Sequence, residues 1–345
     1  MSRSVRSLLA AVTLMLSVGC GGLQPEQAAQ GVDCDFTVAE PSEAGPALER
    51  VKPGDTVCFA GDRLVDLSLR MQLSGTAAEP ISLVSAGAVV RSIDVDADYV
   101  TVDGFTVADG DGVTVEGTGL VLRNNVLRNA ADDGIDCGYC RDSLLESNTV
   151  TGTDGTGIVV DGDRIEVRNN TISGSVMKEE GDADGIRFYG TGLRLTGNII
   201  RDIKASGYPA DDAPHTDCFQ TYEVEGQPTY DVVISGNLCQ NVDVHCLIAT
   251  GKDFPAVDIP PGSTAITFEN NNCTVYGSQA VLLQDFPDVV VRGNTFAGPI
   301  YRAVILTQGS VNGTVVGNTV FGSIPVVEID ESSEPGFRAE GNINR

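Results

Sequence analysis

The sequence predicts an all-β solenoid, a stack of parallel coils of about 23 residues each, and three observations carry that prediction. An asparagine followed by short apolar segments recurs as Asn125, Asn148, Asn170, Asn198, Asn237, Asn272, Asn294, Asn318 and Asn342. Between these lie alternating apolar runs such as Arg164-Ile165-Glu166-Val167-Arg168, bounded by Gly, Asp and Asn, which suit short strands separated by tight turns. The 345 residues include 40 Gly and no Trp, and no stretch beyond the first twenty residues sustains a helical period. One such repeat cannot bury its own apolar face, so neighbouring coils must share a core.

Taken in order, residues 1–20 read as an export signal: Arg3 and Arg6 precede the apolar run Leu8 to Val18, which is too short to span a bilayer. The small residues before Cys20 resemble a bacterial lipoprotein signal, in which Cys20 becomes the lipidated first residue of the mature protein; an ordinary secretory signal is the alternative. Residues 21–32 suit a flexible tether, and residues 33–345 a single solenoid domain. The expected location is the bacterial cell surface or the medium, with membrane contact only through the lipid, and the expected state is a monomer.

Eight cysteines besides Cys20 imply disulfides in an exported chain. Cys34 with Cys58 would tie the first strand to the next coil, and Cys239 with Cys273 would join consecutive repeats. Cys137-Gly138-Tyr139-Cys140 has half the ligands of a zinc site but no second half, so a local disulfide is expected. The formal charge of −26 argues against nucleic acid and anionic membranes, and suits divalent cations or solubility.

A second column aligns across the coils: Asp133, Thr156, Asp184, Asp217, His245, Gln279 and Arg302. Three residues further on stand Asp136, Val159, Arg187, Gln220, Ile248, Leu282 and Ile305. The usual 7 or 8 residues from repeat Asn to column residue grow to 14 before Asp184 and 19 before Asp217. The return segments grow to 20 after Asp217 and 27 after His245. Insertions on a solenoid tend to build the walls of its binding face. Three of the four lysines, Lys178, Lys204 and Lys252, fall in these insertions, where they would hold an anionic ligand; Gln220 and Tyr222 lie beside them.

These features together resemble the right-handed parallel β-helix of pectate lyases and related polysaccharide enzymes, a likeness that covers nearly all of residues 33–345. In that fold the repeat asparagines stack into a ladder whose amides satisfy buried backbone groups. The phrases VKPGDTV (51–57) and SGTAAEPISL (74–83) are similar to those with which such enzymes enter their first coils. Asp132-Asp133-Gly134-Ile135-Asp136 resembles the calcium motif DDGxD of family 9 pectate lyases, with Asp109 or Asp111 as the extra ligand from the preceding coil. The resemblance implies Ca²⁺ as cofactor and an acidic polysaccharide as partner. It also implies a base near Gly185-Ile186-Arg187, where Arg187 replaces the lysine of the family pattern.

Three functions stay open at this level. A polysaccharide lyase would cleave a uronate-containing glycan by β-elimination, with Arg187, His215 or His245 handling protons. A hydrolase would use Asp184 and Asp217 as paired carboxylates. A non-catalytic glycan-binding protein would use its aspartates for structural calcium. The two histidines could alternatively bind a transition metal, although no regular ligand spacing supports it.

Overall fold

The structure is a computed structural model and describes residues 32–176, 182–205, 215–222, 228–251 and 262–345. The signal and Cys20, residues 21–31 of the tether, Lys178 and Lys252 lie outside the described residues.

The chain winds as a parallel β-helix with three faces. Thirteen strands, from Phe36–Val38 to Arg338–Glu340, form the first face. The other twenty strands divide into two ladders that meet where the long strands Val89–Asp96 and Thr106–Glu116 run around a corner. One ladder, starting at Val126–Arg128, makes the second face; the other, starting at Ser68–Met71, makes the third. A typical coil runs Val121–Arg123, Val126–Arg128, Ile135–Arg141, and the next begins at Leu144–Glu146. All ladder pairings are parallel, so equivalent residues of successive coils stand one above another.

Side chains alternate inward and outward, and the inward set (Leu122, Leu145, Val167, Leu195 and their equivalents) fills a continuous apolar core. The sequence prediction missed one helix, Pro41–Leu48, which packs Ala44, Ala47 and Leu48 against the core. At eight residues it completes only about two turns, too few to display a helical period. The Glu43 carboxylate accepts the N–H groups of Ala39 and Glu40 at 2.8 and 3.0 Å and fixes its start.

The asparagine ladder occupies the corner between first and second faces. Each buried side-chain oxygen accepts the backbone N–H of the ladder residue one coil earlier, as Asn148 does from Asn125 at 3.0 Å and Asn170 from Asn148 at 2.9 Å. The amide nitrogens donate to backbone carbonyls, Asn170 to Leu145 at 2.9 Å. The residue before each ladder Asn takes a left-handed conformation, for example Asn124, Asn169, Gly197, Gly236 and Gly293. One rung is corrected: Asn271, not Asn272, holds the ladder, accepting Asn237 N–H at 2.9 Å, while Asn272 faces solvent. The run Asn270-Asn271-Asn272 lets the sequence pattern slip by one, and the buried residue two beyond the rung is Cys273.

Disulfides join Cys34 to Cys58 and Cys137 to Cys140 as expected. The expected Cys239–Cys273 bond is replaced by Cys218–Cys239 and Cys246–Cys273. Cys239 and Cys273 are register neighbours on the second face, and each reaches across the corner to the third face instead of along its own ladder. In earlier coils the equivalent third-face positions are Gly134, Gly157 and Gly185, where an added Cβ would collide with Val150, Ile172 and Ile200. Two coils therefore exchange a glycine-on-aliphatic contact for a covalent bond.

Candidate functional site

The third face carries the columns read from the sequence. Asp136, Val159, Arg187, Gln220, Ile248, Leu282 and Ile305 pair in consecutive register. Two residues further along, hence on the same outward side, Asp161 pairs with Tyr189.

At the edge of this face the column carboxylates are stitched to the backbone of the next coil. Asp133 Oδ1 accepts Thr156 N–H at 2.6 Å, Asp184 Oδ1 accepts Asp217 N–H at 3.0 Å, and Asp217 Oδ1 accepts His245 N–H at 2.8 Å. Asp217 Oδ1 also meets His245 Nδ1 at 2.8 Å, and His245 Nε2 faces the Gln279 side-chain nitrogen at 2.8 Å. With Gln279 donating, His245 is the tautomer that carries its proton on Nδ1 and gives it to Asp217. Asp184 and Asp217 are 0% and 1% exposed and His245 only 7%, so this chain of groups lies beneath the surface.

Arg187 joins it to solvent. Its Nη2 donates to Asp182 Oδ2 at 2.8 Å and to Asp184 Oδ2 at 3.0 Å, while Nε donates to Gln220 Oε1 at 3.0 Å. Burial works against the guanidinium charge, but Asp184, Tyr189 and Asp182 together outweigh it and keep the Arg187 pKa above its ordinary value. Arg187 is thus held between two carboxylates, Asp182 and Asp184. Burial first, and the neighbouring Asp217 second, push the Asp184 carboxyl well above the usual range.

His215, on the strand-like segment paired with Asp182, has its Nδ1 3.5 Å from Asp182 Oδ1 and is the exposed imidazole of the cluster. Asp182 and Tyr189 escaped the sequence reading. Asp182 stands two residues before Asp184, and Tyr189 two beyond Arg187, so strand alternation was the available signal. Tyr189 is buried, meets the half-buried Tyr222 edge to face at 5.1 Å, and has its hydroxyl pKa raised by burial. Lys204 is engaged elsewhere, donating to Asp243 at 2.7 Å and lying 4.7 Å from the Tyr276 ring centre.

Of the five calcium candidates, Asp132, Asp133 and Asp136 lie near enough for their charges to act on one another. Asp109 Oδ1 accepts the Asn129 amide at 3.1 Å, Asp132 Oδ1 accepts Asp133 N–H at 2.9 Å, and Asp133 is tied to Thr156. Asp111 lines a separate groove with Arg70, Asp94 and Thr114. Among the described residues, the one group of three ligand-type atoms all within 4.8 Å of each other is Cys218, Cys239 and Cys246, and these are disulfide-bonded. Burial, with the neighbouring carboxylates adding to it, raises the Asp133 pKa to about 7 and raises that of Asp136.

Residues 111–320 match the family described as "Right handed beta helix region". The chain belongs to the right-handed β-helix family. Among solved structures, this β-helix is similar to an alginate lyase from Paenibacillus sp. str. FPU-7, with 16% identity, a TM-score of 0.53, and 89% of this chain and 98% of that one covered. A PL6 family polysaccharide lyase from Pseudopedobacter saltans shares 11% identity with a TM-score of 0.57, covering 90% and 92%. The tailspike protein of E. coli bacteriophage HK620, solved with a pentasaccharide, gives 11% identity and a TM-score of 0.62. The alignment covers 88% of the β-helix but only 61% of the tailspike. Among curated proteins none matches. At these identities the likeness is one of fold. The four disulfides mark a protein of an oxidising, extracytoplasmic compartment.

Proposed function

We propose that this β-helix is a polysaccharide lyase that cleaves a uronate-containing glycan by β-elimination around Arg187. The observation that carries the reading is the pairing of a permanently charged, one-fifth-exposed guanidinium with the exposed His215 imidazole, both through Asp182. Two neighbours of the same fold are lyases by their descriptions, which agrees with the choice of reaction.

In β-elimination the proton α to the uronate carboxylate leaves first, and negative charge spreads into that carboxylate. His215 is the group able to take the proton, with Asp182 orienting its ring. Arg187 supplies the positive charge where the carboxylate develops it, held in place by Asp182, Asp184 and Gln220 so that little reorganisation is needed. The departing glycosidic oxygen takes a proton from the Tyr222 hydroxyl or from water, leaving an unsaturated sugar end. In this reading no step is assigned to calcium. The hydrolase alternative needs Asp184 and Asp217 at the surface, and both are buried, Asp184 bonded to the Asp217 backbone and Arg187, and Asp217 to the His245 backbone and ring.

The test is release of ultraviolet-absorbing unsaturated ends from alginate, polygalacturonate and other uronate polymers. His215→Ala is expected to lower kcat/KM by about 10²–10⁴ while leaving the unfolding midpoint unchanged, and chelator is expected to leave the wild-type rate intact. Reducing ends without the absorbance would identify a hydrolase, and binding without any product a non-catalytic protein; either would end the lyase reading.

A further inference from the structure

Beside the Arg187 cluster, on the same face, lies a groove of about 410 Å³ lined by Tyr139, Arg141, Asp161, Asp163, Thr191 and Pro228. Its floor is backbone. Cys140, Gly162 and Gly190 stack in register over three coils, and a Cβ on either glycine would run into the backbone of the coil beneath. Both glycines have positive φ, +147° and +110°, so the floor can carry no side chain without strain.

One wall is Tyr139, 71% exposed, at the tip of the four-residue ring closed by the Cys137–Cys140 disulfide. A large aromatic exposed on a disulfide-closed backbone is suited to recognition, since its flat ring can stack on a sugar with few rotatable bonds to order. The opposite side is polar: Asp163 Oδ1 accepts the Thr191 hydroxyl at 2.6 Å, and its other oxygen lies 3.6 Å from Arg141. Asp161 is the register partner of Tyr189, two residues from Arg187, so the groove opens directly toward the cluster. Its volume falls within the range of small-ligand sites.

We infer that this groove is a sugar subsite, in which one ring of a bound uronate glycan stacks on Tyr139 while its hydroxyls meet Asp161 and Asp163 and its carboxylate meets Arg141. The inference rests on the lyase reading for the class of glycan, but not for its own geometry. The disulfide ring acts as the mount for the aromatic platform.

Binding isotherms test it, with the His215→Ala chain and oligoalginates and oligogalacturonates from disaccharide to octasaccharide as probes. Tyr139→Ala is expected to weaken the longer oligosaccharides by about five- to tenfold and the disaccharide far less, as loss of one aromatic contact implies. Tyr139→Phe keeps the ring and should retain wild-type affinity. The double change Cys137→Ser with Cys140→Ser should weaken the same oligosaccharides, with thermal unfolding followed in parallel to separate loosening of the ring from loss of the fold. Unchanged affinity in Tyr139→Ala, or no binding by any oligosaccharide in the panel, overturns the subsite. Absence of unsaturated products from wild type alongside a Tyr139-dependent affinity would overturn only the lyase reading.

Discussion

Two stretches of the same column behave alike toward the backbone and differently toward everything else. At Asp133 and at Asp184 a carboxylate reaches up one coil and accepts the N–H of the next column residue. Around Asp133 the next residues are Thr156 and Val159, and among the described residues the carboxylate has no cation in hydrogen-bond contact. Around Asp184 the same stitch carries Arg187 on its second oxygen, and the next carboxylate, Asp217, carries His245. The column is therefore a structural device first, a counterpart of the asparagine ladder at another corner. Around Asp184 and Asp217 the same stitch also carries charged and ionisable partners.

The largest test of that comparison removes the stitch in each place. Asp184→Ala should cost on the order of 3–5 kcal/mol in chemical denaturation, because it strands a buried N–H and strips a partner from the Arg187 charge. Asp133→Ala should cost about 1–3 kcal/mol, the loss of one backbone acceptor. Equal costs would mean that Arg187 draws no support from Asp184.

A smaller effect should appear in pH dependence. Burial raises Asp133 to about 7, so the folded state holds its proton more tightly than the unfolded chain. Its contribution to stability is complete below the ordinary carboxylate pKa of 3.8 and is lost as pH rises through about 7. Asp133→Asn should flatten the fall in urea midpoint over that window; an unchanged slope would show that the carboxyl ionises without penalty.

The smallest concerns Thr156, whose buried hydroxyl has no hydrogen-bond partner among the described residues. Thr156→Val should be neutral or stabilising by up to about 1 kcal/mol, since it removes an unpaired polar atom at constant shape. A clear destabilisation in thermal unfolding would mean that the hydroxyl is satisfied in solution.

The fold was legible because its periodic demands are local: a left-handed residue then an asparagine, then an inward apolar residue. Where three asparagines ran together, at 270 to 272, locality was not enough, and the rung is decided by the buried Asn271 side chain and its bond with Asn237. The disulfides were half legible, since sequence spacing cannot tell a reach along a ladder from a reach across a corner. Column membership of Asp184, Asp217, His245 and Gln279 followed from alignment. Their directions did not: nothing in the sequence indicates that Asp184 and Asp217 turn into the protein, or that Asp182 bridges Arg187 and His215. Those depend on long segments whose paths carry no period.

The glycine-to-cysteine exchange at the corner has a consequence for the array as a whole. A stack of repeats holds together through nearest-neighbour interfaces, and a long excursion between two coils taxes the interface it interrupts. The Cys218–Cys239 and Cys246–Cys273 bonds stand at the seam where the excursions cluster, closing spans of 21 and 27 residues. They tie the coil bearing Asp217 to the coil bearing His245, and that coil to the one bearing Gln279, so these three coils should open together in unfolding.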